Sequence, residues 1–143
     1  MKKIAVITIV IVFLLGLNAC SGSGDGQQSL DYNNISQNFV DLLFAGNFVD
    51  ANAMVGSDYS DDVTEDINQF SGIYDKYQFQ EVKISSIRGW GPANVEVDKR
   101  VEVVYQYADK EKDNWAIGTL YVRIKSNGNT WEIADLQLLI PTD

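Results

Sequence analysis

The sequence predicts an α+β fold in which N-terminal helices pack on one face of a curved antiparallel sheet of about four strands. Three observations predict this fold. Apolar residues recur with helical spacing in the first half, and from Phe79 onward they alternate with polar residues. Polar segments rich in Gly and Asn separate the alternating runs, as turns between antiparallel strands require. The chain has 143 residues, which suits one domain, and we place that domain at residues 30–143.

Three helices are predicted from apolar stripes. The first spans Asp31 to Ala45 and ends before Gly46, a residue that suits the left-handed end of a helix. The second begins near Phe48 and ends at Gly56, and the third follows Ser60. The stripes consist of apolar residues mostly three or four positions apart: Ile35, Phe39, Leu42 and Leu43, then Phe48, Ala51 and Val55, then Val63, Ile67, Phe70, Tyr74 and Tyr77.

Four strands are predicted in the second half of the chain. Their approximate ranges are 79–87, 95–107, 115–125 and 130–140. Asn127-Gly128, between the last two strands, is a strong hairpin signal. In the last strand the apolar residues change faces between Ile133 and Leu136, which predicts a bulge near Ala134-Asp135.

The first nineteen residues have the pattern of a secretory signal peptide. Two lysines after Met1 precede an apolar run from Ile4 to Leu17. That run is shorter than the roughly 20 apolar residues that a membrane-spanning helix needs. We therefore assign residues 1–19 to a signal peptide that is removed on secretion.

The only cysteine of the chain follows this segment. Leu17-Asn18-Ala19-Cys20 resembles the bacterial lipobox, and the resemblance implies diacylglycerol on the Cys20 sulfur, cleavage before Cys20 and acylation of the new amine. A cysteine is needed because the thiolate is the nucleophile that forms the thioether. Residues 20–29 are expected to form a flexible, Gly/Ser-rich tether. These features predict a protein anchored by lipid in the bacterial cell envelope, on the outer membrane facing the periplasm if the cell is Gram-negative.

The composition argues against several classes of function. The chain has 11 Lys and Arg against 20 Asp and Glu, and removal of the signal peptide takes the net charge from −9 to −11. Such a protein is not expected to bind nucleic acid, and its only expected contact with the membrane is the lipid. It has no histidine, the commonest general base and zinc ligand, and no second cysteine for a disulfide. The acidic run Asp58–Asp66 lacks the spacing of a calcium loop and suits a helix start, so we predict no metal site and no cofactor.

Two segments resemble nuclear transport factor 2-like domains. Residues 39–51 have the aromatic and leucine-rich helix, then Gly, a polar residue, an aromatic residue and Ala, of their helical opening. Gly128-Asn129-Thr130-Trp131-Glu132-Ile133 resembles the Gly-x-x-Trp-x-Ile hairpin that starts their last strand. The resemblance covers about residues 31–140. It implies a cone-shaped sheet wrapped on a long helix, with a pocket that is enzymatic in some members and closed or binding in others.

Three large aromatic residues are expected in the core. Phe39 and Trp131 lie in the two segments that carry the resemblance, each on the apolar side of its element. Trp115 stands at the start of the third predicted strand, and we expect it to be buried there as well.

Candidate site residues follow from the enzymatic members of the resembled family. The resemblance implies an Asp base with hydrogen-bond donors, which here leaves Asp135 with Tyr105, Tyr107 or Tyr121. In the simpler interpretation the tyrosines fill a sheet face and Asp135 reaches solvent from the bulge, so we predict no catalytic residue. Trp90, between two glycines in the corner before the second strand, either anchors a partner or covers the open end of the sheet.

The sequence therefore predicts a lipid-anchored binding or assembly module of the envelope without catalytic activity, with an envelope protein or a small ligand as its partner. Two alternatives remain open: a small-ligand isomerase or dehydratase-like enzyme, and an acidic inhibitor or immunity-type protein that blocks a basic partner. A pocket in which Asp and Tyr converge favours the enzyme. A closed pocket with an exposed apolar patch favours the module, and a concentrated acidic face favours the inhibitor.

Overall fold

The computed structural model describes residues 27–91 and 97–139, with side chains from Tyr32 onward. Within these residues, three helices precede four strands along the chain. The helices are α1 (Gln27–Phe44), α2 (Phe48–Ala53) and α3 (Ser60–Lys76), with a 3₁₀ turn at Ser57–Tyr59 before α3. The strands are β1 (Tyr77–Gly89), β2 (Asp98–Asp109), β3 (Ala116–Ser126) and β4 (Trp131–Leu139).

The strands form one antiparallel sheet in the order β1-β2-β3-β4, so each strand pairs with the next along the chain. This meander with helices on one side confirms the predicted α+β fold. In β4, Ala134 is an extra residue between the partners of Arg123 and Ile124, which confirms the predicted bulge.

The two faces of the sheet have different surroundings. The face that packs against the helices, which we call the inner face, carries the buried apolar residues of β2, β3 and β4. They include Val101, Val103, Tyr105, Leu120, Val122, Ile124, Trp131, Ile133 and Leu136. The alternate residues point to the outer face, because successive side chains of a strand point to opposite sides. A ligand can therefore reach the sheet from the outer face or at the edges of the helical layer.

Two of the three predicted core aromatics are buried. Phe39 of α1 is fully buried, and Trp131 at the start of β4 is 5% exposed and packs edge-on against Tyr32, with 5.4 Å between ring centroids. The prediction for Trp115 is wrong, since its side chain is 38% exposed. Trp115 immediately precedes β3 and shares the outward parity of Ile117, so strand alternation turns it away from the core.

The N-terminal helix begins earlier than predicted. α1 starts at Gln27 rather than at Asp31, so the last residues of the predicted tether 20–29 are helical. The physical reason lies in the sequence, because Gly26 is the last glycine before a run of residues that tolerate a helix. The signal peptide at residues 1–19, Cys20 and the rest of the tether lie outside the described residues.

Candidate functional site

A cleft opens at the end of the sheet where β1 begins, β2 ends and β3 begins. Its walls include four aromatic residues, Tyr77 and Phe79 from β1 and Tyr105 and Tyr107 from β2, which we call the aromatic cleft. The cavity has a volume of about 230 Å³. Its other lining residues are Ile73, Ala108, Asp109, Lys112, Asn114 and Ala116. A second cavity of about 230 Å³ shares Tyr77 and Phe79 as walls and is also lined by Phe44 of α1 and Tyr74 of α3.

Strand geometry brings the four rings together. Tyr105 and Tyr107 are two residues apart in β2 and therefore point the same way, and their ring centroids are 6.0 Å apart. Phe79 lies 5.6 Å from Tyr105 and Tyr77 lies 5.5 Å from Tyr107, again between centroids. Gly118 is directly opposite Tyr105 in β3, and a Cβ atom there would be 2.5 Å from the tyrosine ring. Gly118 is thus the residue that lets the Tyr105 ring lie against the sheet.

The environment of Tyr105 fixes the chemistry that its hydroxyl can offer. Burial and, to a smaller extent, the neighbouring Tyr107 together raise the pKa of Tyr105 to about 12. The phenol therefore stays protonated at physiological pH. In the cleft, Tyr105 can provide an apolar ring face and a neutral hydroxyl, but it cannot act as a base.

The charged groups at the mouth of the cleft come from the loop between β2 and β3. Asp109 accepts a hydrogen bond from the backbone N–H of Glu111 at 2.9 Å, and the Nζ atom of Lys112 lies 3.9 Å from its other oxygen. Asp109 is the one carboxylate among the residues that line the described cavity. Its contacts with the Glu111 N–H and the Lys112 ammonium, both in the turn that follows it, restrain this carboxylate. Lys110 lies over the ring of Tyr74, with 5.8 Å from Nζ to the centroid.

The predicted tyrosine and aspartate candidates do not converge on one site. Tyr105 and Tyr107 line the aromatic cleft. Asp135 is exposed, and its register partner is Arg123 of the outer face. Tyr121 also lies on the outer face, because it is opposite Glu102 and an odd number of residues away from the buried Leu120. The structure therefore separates Asp135 from the tyrosines of the cleft.

Two further sequence candidates meet on the outer face around one arginine. The Cζ atom of Arg100 lies 3.6 Å from the ring centroid of Tyr121 and 5.1 Å from that of Trp90. Trp90 is 38% exposed, and its ring also lies 5.9 Å from the Cζ atom of Arg123. Trp90 thus packs on the arginines of the sheet while part of its ring faces solvent.

Tyr77 and Phe79 line the aromatic cleft but were not among the site residues predicted from the sequence. Tyr77 continues the helical stripe of α3, but the helix ends at Lys76 and Tyr77 is extended, with φ −113° and ψ 153°. The signal that could have found the pair is its spacing of two, since Tyr77 and Phe79 repeat the pattern of Tyr105 and Tyr107. Arg100 and Arg123 of the outer face were not predicted either, because they become neighbours only through the register of β2 and β3.

The part of the chain that the structure describes contains neither a cluster of metal ligands nor a helix that could span a membrane. In residues 27–91 and 97–139, no group of three or more Cys, Asp or Glu side chains could hold a metal ion. No helix within those ranges has the length and apolarity needed to cross a bilayer.

Comparison with solved structures places the chain among proteins of known fold. A SEC-C motif containing protein from Rhodopseudomonas palustris superposes with a TM-score of 0.54 at 8% identity, over 74% of this chain and 77% of the other. A proposed calcium/calmodulin-dependent kinase II association domain from Exiguobacterium sibiricum gives 0.53 at 15% identity, over 85% of this chain and 100% of the other. A proposed polyketide cyclase from Xanthomonas campestris gives 0.50 at 9% identity, over 77% and 90%.

These similarities concern the fold alone, since all three identities are below a quarter. No family model and no curated protein sequence matches the chain. The association domain and the cyclase-like protein have the nuclear transport factor 2-like fold, and this chain has the same helices on a four-stranded antiparallel sheet. The protein therefore has a nuclear transport factor 2-like α+β fold, as its helical opening and its last hairpin predict.

Proposed function

We propose that this protein is a lipid-anchored module of the bacterial cell envelope that binds a small, largely apolar aromatic ligand in the aromatic cleft. The observation that carries the proposal is the cavity of about 230 Å³ with four aromatic walls. An apolar protein cavity of about 150 Å³ holds a benzene molecule, so this cleft has room for a larger ring system. Ligand sites are typically concave and lined by aromatic side chains together with polar groups, and the cleft combines its four rings with Asp109, Lys112 and Asn114.

The polar groups of the cleft support binding rather than proton abstraction. The hydroxyl of Tyr105 stays neutral because of its raised pKa, so it serves as a donor or acceptor for a ligand. Asp109 is engaged by the backbone of Glu111 and faces the ammonium of Lys112. Asp135, the base that an isomerase-like mechanism would use, is exposed, pairs in register with Arg123 and does not line the aromatic cleft. A cyclase-like use of the cleft would have to rely on Asp109.

The cellular location rests on the N-terminal sequence. A basic start, an apolar run and a single cysteine in a lipobox-like setting support secretion and lipid modification at Cys20. The residues from Ser21 to Gly26 are rich in Gly and Ser and would separate the lipid from α1. In this proposal the cleft is presented to the aqueous phase of the envelope, on the outer membrane in a Gram-negative cell.

The binding proposal is tested by calorimetric titration of the folded chain with 2-naphthol, a bicyclic phenol. We expect saturable binding that weakens at least tenfold in Ala116→Phe, because the new ring occupies the cleft; this corresponds to about 1.4 kcal/mol. Ile117→Phe is the matched control, since it adds a phenyl ring to the next residue of the same strand on the outer face. Asp109→Asn should leave naphthol binding unchanged. Folded wild type that gives no binding heat at two well-separated temperatures, or equal affinity in Ala116→Phe and wild type, would contradict the proposal.

A further inference from the structure

All three arginines of the chain lie in one row across the outer face of the sheet. Arg88 of β1 is the register partner of Arg100 in β2, and Arg100 is the partner of Arg123 in β3. Like charges directly opposite one another destabilise a sheet, so the row is costly for folding. It is also unexpected by composition, because the chain carries a net charge of −9. We call these residues the arginine row.

Arg123 shows how a guanidinium in this row is satisfied. Its Nε atom donates to Oδ1 of Asp98 at 2.9 Å and its Nη2 atom donates to Oδ2 at 2.6 Å. Asp98 is buried, and the hydrogen bond to it raises the pKa of Arg123. The pair is a side-on, bidentate complex of a guanidinium with an oxyanion, which is the geometry that arginine prefers.

Arg100 is the register partner of Arg123, but its guanidinium has different surroundings. Its Nε atom is buried and has no hydrogen-bond partner within the part of the chain that the structure describes. The rings of Tyr121 and Trp90 lie at 3.6 and 5.1 Å from its Cζ atom and hold the guanidinium in place. A buried donor without an acceptor is energetically costly, and a water molecule or an anion from outside the chain is one way to satisfy such a group.

A cavity of about 100 Å³ lies beside this guanidinium. It is lined by Ser86, Arg88, Arg100, Glu102 and Tyr121. The side chain of Arg88 is exposed and makes no ion pair or hydrogen bond with the described residues. Glu102 contributes one negative charge, and its carboxylate accepts a hydrogen bond from Ser85 at 2.6 Å. Two guanidinium groups against one carboxylate leave the cavity net positive.

We propose that this cavity binds an oxyanion, the carboxylate or phosphate group of a ligand, through Arg100 and Arg88. The ligand oxygens lie in the cavity beside the Arg100 guanidinium, as the Asp98 carboxylate lies beside that of Arg123. The hydroxyl of Ser86 supplies a further donor, and the stacked rings of Trp90 and Tyr121 keep the Arg100 plane oriented. The site is separate from the aromatic cleft, which lies at the inner side of the sheet.

The test uses the arginine Nε–H signals of the ¹⁵N-labelled chain in nuclear magnetic resonance spectra. Three arginines give three such signals, and arginine variants assign them. Inorganic phosphate and acetate are added separately at constant ionic strength, which removes general screening effects. We expect a saturable shift of the Arg100 signal with at least one anion, and a much smaller shift of Arg123. The anion that binds more tightly identifies a phosphate or a carboxylate ligand.

Variants separate a built site from general attraction by positive charge. Arg88→Gln should weaken binding of the better anion at least tenfold, while Lys83→Gln should change it less than about twofold. Lys83 is a suitable control because it is an exposed cation of the same outer face outside the cavity. Arg100→Lys keeps the charge but lacks Nε, and it should abolish saturable binding.

Two results would overturn the proposal. One is an Arg100 signal that does not shift with either anion up to about 50 mM, a range that covers millimolar affinity. The other is equal weakening by Lys83→Gln and Arg88→Gln. The Ala116→Phe variant, which blocks the aromatic cleft, should bind the anion like wild type, so failure of the naphthol experiment leaves this test interpretable.

Discussion

At the scale of single residues, Gly118 determines where the Tyr105 ring lies and thereby shapes the aromatic cleft. A Cβ atom at Gly118 would be 2.5 Å from two ring carbons of Tyr105, so Gly118→Ala forces the ring to move. We expect a loss of about 1–3 kcal/mol in the free energy of unfolding, as is typical of overpacking, together with weaker naphthol binding. Chemical denaturation and calorimetry measure the two effects.

Gly72 offers the matched control for this substitution. It lies inside α3, and a Cβ atom there would have no neighbour within 4 Å. Gly72→Ala should therefore stabilise the protein by about 1 kcal/mol through helix propensity and leave naphthol binding unchanged. Substitution of Gly by Ala is thus expected to lower the free energy of unfolding at Gly118 and to raise it at Gly72. Equal effects would show that the close contact between Gly118 and Tyr105 does not govern stability.

Asp66 is expected to make the stability of the protein depend on pH. Burial raises the pKa of Asp66 above its ordinary value of 3.8, and the carboxylates of Asp135, Glu65 and Asp62 raise it further. The folded protein therefore binds this proton more tightly than the unfolded chain, and stability falls as the pH rises from 3.8 through the folded-state pKa. Asp66→Asn should raise the Tm at pH 7.

The pH profile itself is the control for this prediction. Below pH 3.8 Asp66 is protonated in both states, so the advantage of Asp66→Asn should fade there. Thermal unfolding followed by circular dichroism at several pH values measures the difference. If Asp66→Asn keeps a higher Tm than the wild type at acidic pH, helix propensity rather than charge repulsion is the cause of the difference.

At the scale of the elements, the positions of apolar residues along each strand, odd or even, predict most of the fold. In β4 the change of parity between Ile133 and Leu136 correctly predicts the bulge at Ala134. The same signal occurs twice in β1, where the inward-facing apolar residues are Phe79, Val82, Ile84 and Ile87. The register of β1 is irregular in both intervals where the parity changes. The bulges of β1 were therefore readable from the sequence, but its strand limits were not, because Tyr77 also fits the stripe of α3.

The contact between α1 and the sheet should dominate stability. Phe39 of α1 is fully buried in the core, so Phe39→Ala should reduce the free energy of unfolding by about 3–5 kcal/mol. Val49 of α2 is 82% exposed, and Val49→Ala should change the free energy of unfolding by less than about 0.5 kcal/mol. Urea denaturation measures both variants. A loss below about 1 kcal/mol in Phe39→Ala would contradict the packing of α1 on the sheet.

At the scale of the whole molecule, the sheet sorts the functional candidates into two sites on opposite faces. The sequence could name Tyr105, Tyr107, Tyr121 and Trp90, because aromatic residues at strand positions stand out in a composition without histidine. It could not assign Tyr105 and Tyr121 to different faces, since that depends on the strand limits and on the pairing of β2 with β3. The arginine row depends on the registers of two hairpins at once, so sequence spacing alone does not show it.

The proposed lipid anchor leads to a prediction about how the whole molecule associates with a membrane. Two or more acyl chains at Cys20 give stable anchoring, whereas a protein with a net charge of −11 is repelled by anionic head groups. The domain should therefore contribute no attraction of its own, and Cys20→Ser should either release the protein from the membrane or leave the precursor unprocessed. Fractionation with mass spectrometry should find the wild type in the membrane with an acylated N-terminal cysteine, and Ser21→Ala should behave like the wild type. Soluble, unmodified wild type would refute lipid anchoring. Partial membrane retention of Cys20→Ser as a processed protein would instead locate a second membrane contact in the folded domain.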